Sequence, residues 1–456
     1  MSAWSARSSS SSRTPQSDVV RLAPPQSPER ERVRIVRDGY KVIDVDTHVT
    51  PSIEVLLRYA DEYLLGRADE LKPYTRVTKP VAGRGHPTHE YGVVRVDPYP
   101  YNRMAGRKEG APAETGAGAK GALEGRTKND ATKNVHDNIQ HDNPEGRLLD
   151  MDVEGVDINV IIPGTWAPGS SALDLDLGKS MHAAYHRYLT DYTSADSRRL
   201  KALGLAHAGD PKGSAKMLEK LAEQDWLAGV WVVLPEGLPI DDPDLDPIFA
   251  VMNEANLPIV HHSFFYEAPY FPGYRDVWGN AAFARTAAHP WGAQRLLAYV
   301  LISGMLDRYP NLRVGAVETG HGWLANFLVR LDKQIRFVAG DTVPPELKHT
   351  PTEFVEQGRV FCGIESFEGP LITKGIIDVL GDHVLMYESD FPHPECAFPN
   401  STDNVIAWKD TIGEVATRKL MGENAERFLR LTTTPWNTPA SHAPKTVPEP
   451  VPVAGD

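Results

Sequence analysis

Cysteine, long apolar runs and net positive charge are all scarce in this 456-residue sequence. Its only cysteines, Cys362 and Cys396, are too few for a disulfide framework and lack the spacing of a zinc ribbon, which favours a reducing cytosol. No apolar run approaches the ~18–20 residues of a membrane span, and residues 1–35 have no apolar core to form a secretory signal. The net charge of −13 argues against nucleic acid or an anionic membrane as a partner. The sequence therefore predicts a soluble, cytoplasmic protein.

Three segments differ in composition from the rest of the chain. Residues 1–35 are rich in Ser, Arg and Pro, and residues 432–456 hold many prolines and no helical period. We expect a disordered N-terminal tail and an extended C-terminal tail. Residues 66–145 are polar, rich in glycine and without periodic apolar positions, so we expect an insertion that covers a site or packs against a partner subunit. This leaves one predicted domain, residues 36–431, that contains the insertion.

Apolar, β-branched runs alternate with helical stretches through the predicted domain. Strands are predicted at residues 42–48, 157–163, 200–207, 229–234, 258–262, 312–318, 359–365 and 384–389. Helices are predicted at residues 51–65, 176–192, 213–224, 246–255, 280–308, 323–338 and 371–380, and two helical segments are predicted within residues 404–429. Strands that alternate with helices form a parallel sheet, and eight such units predict a closed α/β structure, the (β/α)8 TIM barrel. A doubly wound dinucleotide-binding sheet is disfavoured because no Gly-x-Gly-x-x-Gly follows a strand.

Ionisable side chains stand where these strands end. Side chains i and i+2 of a strand point the same way, so Asp46 and His48 are expected on one face at the end of the first strand. The later strand ends contribute His207, His261, His262, Glu318, Glu365 and Asp390. Chemistry in this fold lies at the carboxyl ends of the strands, and parallel strands are otherwise nearly all apolar. Two His, two Asp and a further carboxylate are a fitting set for Zn²⁺ or Mn²⁺ with one position open for water or substrate.

Seven short motifs carry a family resemblance. They are residues 44–48 (DVDTH), 150–157 (DMDVEGVD), 257–262 (LPIVHH), 310–314 (PNLRV), 318–323 (ETGHGW), 389–394 (SDFPHP) and 423–428 (ENAERF). With these motifs the chain resembles the amidohydrolase superfamily. The resemblance is to the branch often called amidohydrolase 2, which holds aminocarboxymuconate-semialdehyde decarboxylase and the salicylate- and resorcylate-type decarboxylases. It runs from about residue 42 to 431 and implies a metal-dependent TIM-barrel enzyme.

The resemblance also implies a set of metal ligands, namely Asp46, His48, His262 and Asp390. His262 is preferred to His261 because the family spacing Pro-x-x-x-His counts from Pro258, and His261 is then expected to point away from the rim. The first motif of the family is often His-x-His or Glu-x-His, whereas this chain has the shorter carboxylate of Asp46. The cofactor expected from the four implied ligands is a divalent metal, with Zn²⁺ favoured and Mn²⁺ as the alternative.

The acid/base residue is open between two neighbours. The decarboxylases carry a His at the end of the sixth strand, where this chain has Glu318, and His321 lies three residues further on. A partly desolvated Glu beside a metal can be tuned for proton transfer, so either residue is a candidate. Asp390 is a third catalytic candidate, because the last-strand Asp of the superfamily's hydrolases takes a proton from water. Weaker expectations for substrate-binding residues are His207, Trp166, Phe265, Glu365, His393 and Arg103, the last as a carboxylate clamp.

Three functions are consistent with these residues. The first is a metal-dependent decarboxylase of a small aromatic or unsaturated carboxylic acid. The second is a hydrolase of a C–N, C–O or C–C bond that uses metal-activated water. The third, of a different class, is a non-catalytic barrel that serves as a subunit or scaffold, against which the four implied ligands argue. A homo-oligomer, most simply a dimer, is expected in each case.

Overall fold

The computed structural model describes residues 37–49, 51–78, 91–94, 143–164, 166–235, 237–262, 281–338, 343–393 and 396–431. Ten strands occur in these residues: β1 (Ile43–Val49), β2 (Thr75–Thr78), β3 (Tyr91–Val94), β4 (Ile158–Pro163), β5 (Leu200–His207), β6 (Leu227–Val233), β7 (Ile259–His262), β8 (Val314–Val317), β9 (Val360–Gly363) and β10 (Leu385–Met386). Eight of them form one sheet in the order β1-β4-β5-β6-β7-β8-β9-β10, and each neighbouring pair is parallel.

The two ends of this sheet meet and close it. Val45 N–H donates to the carbonyl of Tyr387 (3.1 Å), and His48 N–H donates to the carbonyl of Phe391 (2.8 Å). In the reverse direction, Asp390 N–H donates to the carbonyl of Asp46 (3.1 Å). These bonds join β1 to the segment that follows β10, so the predicted (β/α)8 TIM barrel is confirmed. They also place the ends of the first and last strands side by side.

Helices separate the strands as the alternating pattern predicts. They are Ile53–Arg58, Glu62–Gly66, Pro144–Glu154, Trp166–Gly169, Leu175–Thr193, Pro211–Leu221, Asp246–Glu254, Ala281–Ile302, Met305–Arg308, Leu324–Val338, Pro351–Glu356, Gly369–Leu380, Ser401–Ile406, Lys409–Ile412, Glu414–Arg418 and Asn424–Phe428. Two stretches predicted as single helices are divided. The side chain of Asp61 accepts from Leu64 N–H and starts a new helix, and Gly304 at φ 74° separates two others.

An aromatic side chain of the last helix packs against the first residues of β8 and β9. Phe428 packs against Phe361 of β9 with ring centroids 4.9 Å apart. A Cβ on Gly315 of β8 would lie 2.4 Å from Cζ of Phe428, so a larger residue than glycine would displace the ring. The buried guanidinium of Arg313 donates to the carbonyl of Phe428 (2.9 Å) and fixes the position of this helix. The last helix thus completes the core beneath the functional rim.

The predicted insertion, residues 66–145, is not structureless where the structure describes it. A 3₁₀ segment, Ala68–Tyr74, leads into β2, which pairs with β3 in antiparallel register. The short strands contain Val77, Val93 and Val94, and such β-branched residues favour paired extended backbone. Among the described residues, no helix combines the length and the apolarity needed to cross a membrane.

Candidate metal centre

Four buried side chains converge at the carboxyl ends of β1, β7 and β8. Asp46, His48, His262 and Glu318 each offer a ligand atom, and these atoms all lie within 4.8 Å of one another. Nε2 of His48 is 3.1 Å from Oδ1 of Asp46 and 3.3 Å from Nε2 of His262. Nε2 of His262 is in turn 2.7 Å from Oε2 of Glu318. The side chains come from three different strands, so only the closed barrel brings them together.

A second group overlaps the first and adds the segment after β10. His48 and Glu318 are joined there by Asp390 and His393. Oδ1 of Asp390 lies 3.1 Å from Nε2 of His48 and 2.6 Å from Nδ1 of His393. The ring of His393 also stacks on that of His48, with centroids 4.4 Å apart. Asp390 is therefore within bonding reach of the same imidazole that faces Asp46.

The backbone is unusual at the residues that present these groups. β1 and β4 shift register between Asp44 and Thr47, so the strand is bulged beside Asp46; bulges at barrel rims redirect side chains. Glu318 and Asp390 have positive φ angles, 48° and 58°. A non-glycine residue in this left-handed region costs about 1–3 kcal/mol, and such strain concentrates at functional sites. The chain thus adopts costly conformations where its carboxylates enter the cluster.

The donor set fits a divalent cation. Both carboxylate oxygens of Asp46, a residue with 0% exposure, accept no hydrogen bond from the described residues, and neither does Oδ2 of Asp390. Buried carboxylate oxygens are costly unless they are paired, hydrogen-bonded or bound to a metal. Imidazoles and carboxylates are the usual ligands of Zn²⁺ and Mn²⁺. A cation among Asp46, His48, His262 and Asp390 would satisfy these oxygens.

The pKa shifts of three cluster residues follow from their burial and from the charges of their neighbours. Burial raises the pKa of Glu318 well above its ordinary value, and the charge of Asp390 raises it further. Burial alone would lower the pKa of His48, but the carboxylates of Asp46 and Asp390 outweigh it and raise that pKa. Burial would raise the pKa of Asp390, yet His393 and His48 lower it. Three carboxylates in a buried space need compensating positive charge, which a divalent cation also supplies.

Two residues predicted to line the pocket pack among the outer helices instead. Nδ1 of His207 accepts from Gly209 N–H (3.1 Å), and the ring lies 5.5 Å from that of His182 on the helix Leu175–Thr193. Trp166 is 1% exposed and packs edge-on against Tyr185 of the same helix at 5.3 Å. Neither side chain is brought to the cluster.

His321 and Glu365 belong to the support of the loop after β8. Nε2 of His321 is 2.9 Å from Oγ1 of Thr373, and Nδ1 is 2.8 Å from Oε2 of Glu368. Glu365 accepts from Gly320 N–H (3.1 Å). The structure thus brings Glu318 into the cluster and holds His321 among the residues behind it. His261, the neighbour of His262, lies buried on β7, and the predicted Phe265 and Arg103 lie outside the described residues.

Three side chains near the cluster are absent from the sequence-based predictions. The ring of Trp231 lies 5.6 Å from that of His262 at an interplanar angle of 31°. Nδ1 of His289, from the helix Ala281–Ile302, is 4.0 Å from Oε1 of Glu318. Oε1 of the buried Glu388 accepts from Glu318 N–H (3.2 Å). Only Glu388 had a readable signal, because it precedes Asp390 by two residues and shares its parity.

Comparison with known proteins agrees with this architecture. Residues 43–431 match the family described as amidohydrolase. An amidohydrolase from Mycobacterium avium subsp. paratuberculosis is 18% identical with a TM-score of 0.59, over 85% of this chain and 98% of that chain. The 5-carboxyvanillate decarboxylase of Novosphingobium aromaticivorans, solved with manganese and 4-hydroxy-3-methoxy-5-nitrobenzoic acid, is 19% identical with a TM-score of 0.57, over 86% and 96%.

A third solved structure has a similar coverage. The IDCase of Metarhizium anisopliae in apo form is 19% identical with a TM-score of 0.53, over 86% of this chain and 98% of that chain. At these identities the likeness establishes the shared fold. None of the curated protein sequences compared with the chain matches it.

Proposed function

The chain belongs to the amidohydrolase family, and from this premise we propose that it is a metal-dependent carboxy-lyase of a small aromatic or unsaturated carboxylic acid. The observation that carries the proposal is the buried set of imidazoles and carboxylates at the carboxyl ends of the barrel strands. This rim is where TIM-barrel enzymes hold their active sites. The decarboxylase of Novosphingobium aromaticivorans, which shares the fold, supports the choice of substrate class.

The proposed metal ligands are Asp46, His48, His262 and Asp390. Two observations support this set. Both carboxylate oxygens of Asp46 and Oδ2 of Asp390 accept no hydrogen bond from the described residues. Nε2 of His48 lies 3.1 Å from Oδ1 of Asp46 and 3.1 Å from Oδ1 of Asp390. Zn²⁺ suits the two imidazoles, while a set with as many carboxylates as imidazoles also suits Mn²⁺. We propose Zn²⁺ as the resident ion and Mn²⁺ as the alternative. When bound, the ion would act as a Lewis acid that polarises a substrate oxygen.

Glu318 is the proposed acid/base. Its Oε2 faces His262 at 2.7 Å and His48 at 3.9 Å, so its carboxyl borders the space that a substrate must enter to reach the proposed ligands. A carboxyl in that position can deliver a proton to the carbon that loses CO₂ and recover it from solvent. The hydrogen-bonded position of His321, behind this layer, supports Glu318 over its neighbour. The proton would be held on Oε2.

Other residues would orient the proposed ligands and exclude water. The ring of Trp231 covers one face of His262 and restricts its rotation. His393 holds Asp390 through the 2.6 Å contact to Oδ1 and lies over His48. Such partners fix the orientation of ligating groups and tune their basicity. His393 is part-exposed, which supports a position at the entrance for substrate.

A hydrolase is the second candidate, and one observation favours it. The sixth-strand position carries a carboxylate, Glu318, so that Asp46, Glu318 and Asp390 together give the cluster three acidic groups. A site this acidic accepts a neutral amide or ester more readily than a carboxylate anion. In this reading water is the nucleophile, and Glu318 or Asp390 takes its proton. The two reactions differ in product, which makes them separable.

The test combines elemental analysis with product detection. Purified protein should contain about one Zn or Mn per chain, and the His262→Ala and Asp390→Ala variants should lose it. His349→Ala is the matched control, because His349 also pairs with a carboxylate, Asp307, but does so in a part-exposed position. It should keep the metal. Loss of metal in the control, or its absence from all preparations, would contradict the proposed site and leave the scaffold interpretation.

The metal-loaded protein should then be offered hydroxylated benzoic acids and unsaturated carboxylic acids, with their amides and esters in parallel. CO₂ release from an acid supports the carboxy-lyase. Release of an acid from an amide or ester, without CO₂, supports the hydrolase. Reconstitution of metal-free protein with Zn²⁺ and with Mn²⁺ in turn identifies the ion that restores the higher kcat.

A further inference from the structure

Glu388 is a buried carboxyl group that the proposed reaction does not use. It follows β10, two residues before Asp390, and is 4% exposed. Its Oε1 accepts a hydrogen bond from the backbone N–H of Glu318 (3.2 Å). Its Oε2 accepts none from the described residues. A buried polar atom without a partner costs about 1–3 kcal/mol, so stability alone would favour an apolar residue at this position.

The carboxyl group of Glu388 occupies the space beside Gly363 of the neighbouring strand. An ideal Cβ on Gly363 of β9 would lie 1.6 Å from Oε2 of Glu388 and 2.5 Å from its Cδ. The Glu388 carboxyl group would have to move to relieve this overlap. Gly363 has an ordinary strand conformation in β9, so its backbone angles alone do not require glycine. A side chain at position 363 would therefore compete with the Glu388 carboxyl group for the same volume.

The hydrogen bond that Glu388 accepts comes from a residue with a strained backbone. Glu318 follows β8 with φ 48°, a conformation that a non-glycine residue avoids unless its surroundings hold it. Its N–H points to Glu388. This geometry turns the Glu318 carboxyl group toward His262. An acceptor at position 388 thus offsets the strain that directs Glu318 into the cluster.

We propose that Glu388 is a positioning residue, which fixes the backbone of Glu318 and thereby the aim of its carboxyl group at the metal centre. Gly363 is the second part of the same device, because it leaves the volume that Glu388 needs. The inference rests on the proposed role of Glu318. It predicts a rate effect at Glu388 without contact between Glu388 and substrate.

Two variants at position 388 test the proposal. Glu388→Gln keeps an acceptor for Glu318 N–H, whereas Glu388→Met keeps the length and removes the acceptor. We expect Glu388→Met to lower kcat by about 10–100-fold with little change in KM or in metal content, and Glu388→Gln to restore kcat to near the wild-type value. An equal loss of kcat in both variants, or wild-type kcat in Glu388→Met, would overturn the proposal.

Gly363→Ala, on β9, perturbs the same carboxyl group without changing residue 388. It replaces Glu388→Met in the test if that variant fails to fold. It should displace the Glu388 carboxyl group and lower kcat as Glu388→Met does, and wild-type kcat would overturn the proposal. Crystal structures of the variants supply a readout independent of activity. The φ angle of residue 318 should leave the left-handed region in Glu388→Met and stay in Glu388→Gln. If the wild type is inactive on every substrate, the proposed function fails, while this backbone change still decides the positioning role.

Discussion

Glu318 is the side chain on which the proposed proton transfer depends. Replacing it by Gln keeps the shape of the side chain and removes the carboxyl group that can give and take a proton. Glu318→Gln should therefore lower kcat by about 10²–10⁴-fold while metal content is retained. His321→Asn should lower kcat by less than tenfold, because Nε2 of His321 faces Thr373 and not the cluster. The measurement is kcat and bound metal for both variants. The opposite ranking would transfer the acid/base role to His321, and loss of metal in Glu318→Gln would make Glu318 a ligand.

Individual residues also show how far sequence reasoning reaches. Asp46, His48, His262 and Asp390 were proposed as ligands through the family resemblance, and the structure brings all four into the two overlapping groups at the rim. His207 also ends a predicted strand and yet packs against the outer helix Leu175–Thr193. Both faces of a parallel barrel strand are buried and apolar, so the sequence holds no hydropathy contrast that separates inward from outward positions.

The loop after β8 is held by the carboxylates of Glu365 and Glu368, which accept hydrogen bonds from its backbone. Oε2 of Glu368 accepts from the N–H groups of His321 and Gly322, both at 2.8 Å. Glu368→Ala should lower the free energy of unfolding by about 1–2 kcal/mol, since the part-buried N–H of His321 and the exposed N–H of Gly322 lose a charged acceptor. Glu356→Ala, an exposed carboxylate on the helix Pro351–Glu356, should change it by less than 0.5 kcal/mol. Urea unfolding compares the two, and equal effects would contradict this role.

The same contact predicts a pH dependence. Burial would raise the pKa of Glu368, but the hydrogen bond and charge of His321 outweigh it and lower that pKa below the ordinary 4.5. A carboxyl group with a lowered folded pKa stabilises the fold above its unfolded pKa and loses this contribution as the pH falls. The difference between wild type and Glu368→Gln should therefore be constant near pH 7 and shrink below pH 4.5. A difference that grows in acid would show that another group dominates.

Helices and strands were predictable where the residue pattern of the segment itself determines its structure. All eight barrel strands follow from β-branched runs, and their ends agree with the structure within a few residues. The divided helices do not follow, because the break at Asp61 depends on a side-chain cap that competes with continued helix. The pair of β2 and β3 was missed because each strand has four residues and is stabilised by its partner.

The molecule as a whole closes through the segments that bear the proposed ligands. β1 carries Asp46 and His48, the segment after β10 carries Asp390, and the hydrogen bonds between these segments complete the barrel. Asp44 reinforces the seam, because its carboxylate accepts from both the N–H (3.0 Å) and the hydroxyl (2.5 Å) of Ser389. A cation held by both segments would bind the closed barrel and not the unfolded chain.

Removal of the metal should therefore destabilise the entire barrel. A site filled at 100–1,000 times its Kd contributes about 3–4 kcal/mol, so a chelator should lower the Tm of wild-type protein by about 4–6 °C. The His262→Asn variant, which lacks a proposed ligand, should start from the lower Tm and not respond to the chelator. Calorimetry with and without chelator makes the comparison. Equal responses would mean that the chelator acts elsewhere, and an unchanged wild-type Tm after confirmed metal loss would separate metal binding from closure of the barrel.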